Sequence, residues 1–312
     1  VRRAFGRGDG GRSAHGHAAR GAAVPAASAL TRALCGARAE TRRALVKSRG
    51  ALLCSLLAGL MLVGSGTCPA AESESQQATV PTYGYEVVSR LRFDRANFTQ
   101  GLEIFDGRLY VSSGLYGESM IRVYDFPAME EIQAVPVDPR IFAEGLTVID
   151  NRLVVLTWRE RVMLVYSLPD MSLLGQSALP GQGWGATRSG STLWFSDGSH
   201  YLYSADMSGD GQLARLPVTL EGRPLRNLNE LEWVDGEIWA NVWQTDQIAR
   251  IDPGTGDVVG LIDLSGLLPD EDRLRDTDVL NGIAIDPITQ AIWVTGKRWP
   301  WLFEITLEND AD

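Results

Sequence analysis

Histidine and cysteine are almost missing from the part of this 312-residue chain that can build a core. All three cysteines, Cys35, Cys54 and Cys68, fall early, and only His200 of the three histidines lies beyond residue 50. That scarcity leaves no disulfide framework and no thiolate zinc site. It also argues against a Ser-His-Asp triad and a histidine-rich metal cage, each of which needs imidazoles in set places. Positive charge is scarce too: beyond residue 50 there are 18 basic against 37 acidic residues, a net charge of −19. Nucleic acid is therefore not an expected partner. The single long apolar run, ALLCSLLAGLMLVGSG (51–66), is shorter than the roughly 20 residues that span a bilayer. No stable membrane insertion is expected.

The basic residues that do exist crowd the N-terminus, where residues 1–50 hold eleven Lys or Arg against two acids and show no apolar periodicity. Such a segment buries too little to fold and is read as a disordered basic leader; a start assigned too far upstream would account for it. The stretch Arg42–Arg49, the apolar run and the small residues through Ala70 and Ala71 match a positive n-region, an h-region and a cleavage site over 51–71. The expectation is export to a secreted or periplasmic location, with a mature domain over 80–312.

That domain contains a repeat. Five registers can be aligned: FTQGLEIFDGRLYVSSGLY (98–116), FAEGLTVIDNRLVVLTW (142–158), GWGATRSGSTLWFSDGS (183–199), LNELEWVDGEIWANVWQTD (228–246) and LNGIAIDPITQAIWVTGKRW (280–299). Each is a short apolar strand, a tight turn such as Asp-Gly, and a second strand ending in Trp, Tyr or Gly, which is a hairpin signature. Further strands fit between them at Ser119–Asp125, Met163–Ser167, Tyr201–Asp206 and Ile248–Asp252. Four strands in 40 to 45 residues is the size of a propeller blade. The unpaired strand Tyr83–Phe93 would join the last unit, hide its edge and close the ring. The expected fold is an all-β, five-bladed β-propeller, with a sandwich as the alternative.

Gln100, Glu144, Trp184, Asn229 and Asn281 are equivalent positions, each opening a first strand, and would ring one mouth of the central channel. Gly101, Gly145, Gly185 and Gly282 follow them and would let backbones crowd at the axis; the fourth unit has Glu230 there. Second strands end at the same mouth, bringing Tyr116, Trp158, Trp243 and the Lys297–Trp299 pair to the rim of an aromatic cup. Trp194, Trp239 and Trp293 sit mid-strand and suit packing between units. Of Glu230 and Glu232, one is expected to face outward. Glu144 stands out: a carboxyl in a narrow, partly dry channel has its pKa raised toward neutrality, which suits a general acid/base.

The strings FTQGL with SSGLYG, EGLT with LTW, GWG with SDGS, LNELE with WANVWQTD, DVLNGIA, and VTGKRWP with LFEI resemble, in order and spacing from about residue 84 to 306, the plant-type glutaminyl-peptide cyclotransferases, also found in bacteria. The resemblance implies cyclisation of N-terminal glutamine of peptides or proteins to pyroglutamate, with loss of ammonia and without a catalytic metal; separately, no cofactor is expected and the protein is expected to be a monomer. It places the catalytic acid on Glu144 and substrate-binding residues on Phe98, Gln100, Trp158, Trp184, Asn229, Trp243 and Lys297. Two departures stand out: Glu118 where a basic residue is expected and Ala143 where glycine is frequent. Two other readings compete, a calcium-dependent propeller hydrolase or lactonase and a non-catalytic binding propeller.

Overall fold

Three of the hairpin turns have both central residues at positive φ, namely Asp106–Gly107 (50° and 68°), Asp150–Asn151 (49° and 60°) and Asp235–Gly236 (49° and 91°). These are the primed turns whose twist suits antiparallel neighbours, and Asp, Asn and Gly tolerate them. In a computed structural model, which describes residues 79–309 except Asp210, they join neighbouring strands in two four-stranded meandering sheets and in a larger third one.

The first sheet holds β2 (Thr99–Phe105), β3 (Arg108–Ser113), β4 (Met120–Asp125) and β5 (Glu130–Pro136) in that order. The second holds β6 (Ala143–Ile149), β7 (Arg152–Thr157), β8 (Val162–Ser167) and β9 (Leu173–Ala178). The third holds β10 (Ala186–Ser189), β11 (Thr192–Ser196), β12 (Tyr201–Asp206) and β13 (Leu213–Pro217). A two-stranded ribbon, β14 (Thr219–Leu220) with β15 (Arg223–Pro224), leads on to the last sheet.

That sheet has eight strands. It runs β16 (Leu228–Val234), β17 (Glu237–Val242), β18 (Gln247–Ile251), β19 (Val258–Asp263), then β1 (Thr82–Arg92), β22 (Trp301–Asn309), β21 (Ile292–Gly296) and β20 (Leu280–Ile285). The sequence reading expects five separate four-stranded units, so the difference is a fusion. Its cause is β1, which pairs antiparallel with β22 over nearly its whole length and also parallel with β19 through Thr82–Leu261 and Tyr83–Ile262. The N-terminal strand thus joins the last unit as expected and, in addition, ties it to the one before.

Strands β2, β6, β10, β16 and β20 lie innermost, each against the next and β20 against β2, so the sheets form a nearly closed ring. Burial follows from this. Strands β2 and β6 are covered on both faces along most of their length, whereas the outermost β5, β9 and β13 are largely exposed. Apolar clusters fill the spaces between neighbouring sheets. One joins Ala143, Leu146 and Val155 to Tyr110 and Ile121, and another joins Leu228 and Leu231 to Leu202. Trp239 and Trp293 are buried in such clusters, and Trp194 packs against one.

Glycine permits the closeness at the axis. A Cβ on Gly145 would sit 2.6 Å from the Ala186 nitrogen and the Trp184 oxygen, and one on Gly185 would strike the Asn229 carbonyl. Where the fourth unit has Glu230, the side chain is used: it accepts hydrogen bonds from the backbone N–H of Leu102 (3.3 Å) on β2 and Ile283 (2.9 Å) on β20, two other innermost strands. Glu232 accepts similarly from Ile285 (3.1 Å) and Glu103 from Val148 (2.8 Å). The expectation that Glu230 or Glu232 faces outward is overturned. Both are buried, because residues two apart on a strand share one face.

Candidate active site

The chain around each ring position is held the same way in four units. The backbone N–H that ends the second strand donates back to the residue two before the ring position: Gly114 to Phe98 (3.0 Å), Trp158 to Phe142 (3.2 Å), Trp243 to Asn227 (2.8 Å) and Lys297 to Val279 (2.9 Å). In those four units this closure sets the end of the second strand beside the start of the first, at one mouth.

There a cavity of about 340 Å³ is lined by Phe98, Gln100, Glu144, Trp158, Trp184, Asn229, Trp243 and Lys297, which brings together all eight residues named from the sequence. Leu115, Phe142, Gln244, Asp278 and Val279 complete the wall. Phe142 was legible in principle, since it stands in the second register where Phe98 stands in the first. Asp278 and Gln244 carry no such signal, because they lie in loops between or after the strands.

The remaining expectations for the mouth divide. Tyr116 is at the rim, 45 % exposed. Trp299 is not: it is 2 % exposed, donates its indole N–H to the Asp278 carbonyl at 2.9 Å and meets Phe303 edge-on. Arg298 has φ 60°, and this left-handed turn directs Trp299 into the core while Lys297 keeps to the cup. Asn281 is buried behind the cup and does not line it, donating to the Thr99 carbonyl of β2 at 3.0 Å.

Among the described residues, two charged groups are buried in the cup, Glu144 at 6 % and Lys297 at 5 % exposure. Burial pushes the Glu144 carboxyl well above the usual carboxylate range; the Lys297 ammonium opposes that rise and the Glu160 carboxylate adds to it. Burial in turn lowers Lys297, while Glu144 and Asp278 partly restore its proton affinity. The ammonium lies 5.0 Å from the centre of the Phe98 ring, a cation–π contact.

Polar groups with capacity to spare surround this pair. Gln100 accepts from the Asn281 amide at 3.5 Å through its oxygen, which leaves its NH₂ group for the cavity. The Asn229 side-chain oxygen is buried with no partner among the described residues. The wall is aromatic elsewhere: Tyr116, Phe142 and Trp158 contact one another with ring centres 5.4 to 6.4 Å apart, and Trp184 meets Trp243 edge-on at 5.5 Å.

Two other cavities differ in character. One, about 390 Å³, is an apolar cleft between the second and third sheets, lined by Met163, Leu193, Phe195 and Met207. The other, about 350 Å³, lies at the far mouth, where Glu103 pairs with Arg188 at 3.6 Å and Glu232 is nearby. There each carboxylate already takes a backbone N–H, so the acids serve the ring itself.

A nearly closed ring of β-sheets with an aromatic cup around one buried carboxyl, raised in pKa, defines an all-β, propeller-like protein with a pocket at its axis. Comparison with known proteins gives the family. A family model described as Glutamine cyclotransferase matches residues 60–307, and the chain belongs to that family. It is 40% identical over 231 residues to the glutaminyl-peptide cyclotransferase of Arabidopsis thaliana, covering 72% of this chain and 71% of the relative. It also resembles the crystal structure of Myxococcus xanthus glutaminyl cyclase, with a TM-score of 0.68 and 31% identity over 74% of this chain and 100% of that one.

Proposed function

We propose that this chain is a glutaminyl-peptide cyclotransferase that converts the N-terminal glutamine of peptides and proteins to pyroglutamate and ammonia, with Glu144 as its general acid/base. The observation that carries the proposal is a single buried carboxyl, raised in pKa, facing an aromatic cup of about 340 Å³. Family membership and the named relatives support the same reading.

The chemistry follows from the groups present. Nucleophile and electrophile belong to one residue, so the cup has to hold the glutamine side chain folded and to move protons. Ionised Glu144 accepts a proton from the α-amine as its nitrogen bonds to the side-chain amide carbon. The carbonyl electron pair moves onto oxygen, where the Gln100 NH₂, Asn229 or Lys297 can stabilise it; a positioned donor contributes about 3 kcal/mol. When the carbonyl re-forms, the carbon–nitrogen bond breaks and protonated Glu144 returns its proton to the leaving nitrogen, which departs as ammonia. Trp158, Trp184 and Trp243 enclose the aliphatic part and exclude water that would give glutamate instead.

In this reading the fold counts as a five-bladed propeller: three blades are the separate sheets, and the eight-stranded sheet is two blades joined through β1. The enzyme needs no metal, works as a monomer and acts outside the cytoplasm after removal of residues 51–71, which lie outside the described residues together with the basic leader.

Incubation of a Gln-Xaa peptide with purified 72–312 followed by mass spectrometry should show a loss of about 17 Da, one ammonia. Glu144→Gln should lower turnover on the order of 100-fold or more. Undiminished turnover by that variant removes Glu144 from the mechanism.

A further inference from the structure

The aromatic wall of the cup is two clusters, not one. Tyr116, Phe142 and Trp158 form the first and Trp184 with Trp243 the second, and no ring contact joins them among the described residues. Gln182 stands in the gap. Its side-chain oxygen accepts the indole N–H of Trp158 at 2.7 Å and that of Trp184 at 3.0 Å. Two indole donors require an acceptor, so this pair of contacts fixes which end of the amide faces them.

The position of Gln182 is itself set by its surroundings. In the third unit it occupies the place that Phe98 and Phe142 hold in the first two, so a polar residue replaces a ring at one point of the wall. The connector that carries it is tied to the second sheet by Leu179 N–H to the Arg161 carbonyl (2.8 Å) and Gly183 N–H to the Thr157 carbonyl (3.0 Å). It is tied to the third by Trp184 N–H to the Ser196 carbonyl (2.9 Å). A Cβ on Gly183 would lie 2.6 Å from that of Leu156, so the connector is pressed against β7. A side chain rooted in so fixed a backbone reaches a fixed point.

We propose that Gln182 is a positioning residue that clamps Trp158 to Trp184 and thereby sets the width of the cup for the folded glutamine side chain. It acts through the tryptophans and takes no part in proton transfer. The proposal rests on the reading of the cup as the substrate site, but the clamp is a property of the two indoles and has its own readout.

Gln182→Leu keeps the size and removes the acceptor, whereas Gln182→Glu keeps acceptor oxygens. In 72–312, the leucine variant should raise KM for a Gln-Xaa peptide about tenfold with kcat within about threefold, because geometry is lost before chemistry. Its tryptophan emission should shift, and Gln182→Glu should restore the emission and most of the KM. Wild-type KM and emission in the leucine variant overturn the clamp, as does a glutamate variant no better than leucine. Should Gln182→Leu fail to fold, Gln182→Asn, too short to reach both indoles, replaces it with the same expected shifts. Absence of cyclisation by the wild type would instead remove the proposed function, while the emission of the variants would still decide the clamp.

Discussion

Lys297 keeps a positive charge where water scarcely reaches, and its effect on Glu144 has a definite sign. An ammonium favours the carboxylate, so it holds down a pKa that burial raises, while Glu160 pushes the same pKa further up. Glu160 is held for that purpose by Tyr116 O–H (3.0 Å) and the Phe142 N–H (3.3 Å). If ionised Glu144 accepts the amine proton, the acid limb of kcat reports its pKa in the complex. Lys297→Met should therefore move that limb to higher pH, and Glu160→Gln should move it to lower pH. A kcat–pH profile of each variant checks both directions; shifts in the same direction would detach the limb from Glu144. Glu118 is exposed on the same loop as Tyr116.

Within the strands, closeness at the axis is the governing constraint. The inner strands approach so nearly that three of the five positions after the ring residues admit no side chain, and Gly282 adds a φ of 127° that only glycine adopts readily. Gly185→Ala should destabilise the protein by about 3 kcal/mol, since its Cβ meets carbonyl and Cα of β16, backbone that cannot swing aside. Gly181→Ala, with open space around it, should be near neutral. Urea midpoints of the two variants compare them. This pattern was readable from the aligned registers, because a spacing that puts five small or polar residues at equivalent places implies a shared axis. The partners of Glu230 were not. Its carboxylate bonds N–H groups 128 and 53 residues away, and no local pattern reports which strand ends lack a partner.

At the scale of the molecule, four carboxyls among the described residues, Glu103, Glu144, Glu230 and Glu232, are raised in pKa chiefly by burial. In the unfolded chain each ionises near about 4.3, so above that pH the native state holds protons that the unfolded state has released. Stability from these groups is complete below the unfolded value and declines as pH rises through the folded values. Asp138, lowered to about 2 by Arg140, and Asp170, Asp206 and Glu237, also lowered, act oppositely and lose their contribution in strong acid. The two trends together place maximum stability in mild acid. Thermal unfolding should give a higher Tm at pH 5 than at pH 8, and the reverse order would mean that the axial glutamates are ionised in the fold.

The residues alone determined the class of the protein. Alternation, primed-turn signals and a repeat of about 44 residues are local properties, and local properties dictate hairpins, their number and the strand ends that carry Gln100, Glu144, Trp158 and Trp243. What only the tertiary structure decided depends on groups distant in the chain: the union of two units by β1, the burial of Trp299 beyond a left-handed turn, both axial glutamates facing inward, and one amide holding two tryptophans. Each is set by which backbone groups remain unpaired, and which space remains unfilled, once the ring has closed. Those quantities do not exist until the sheets have met.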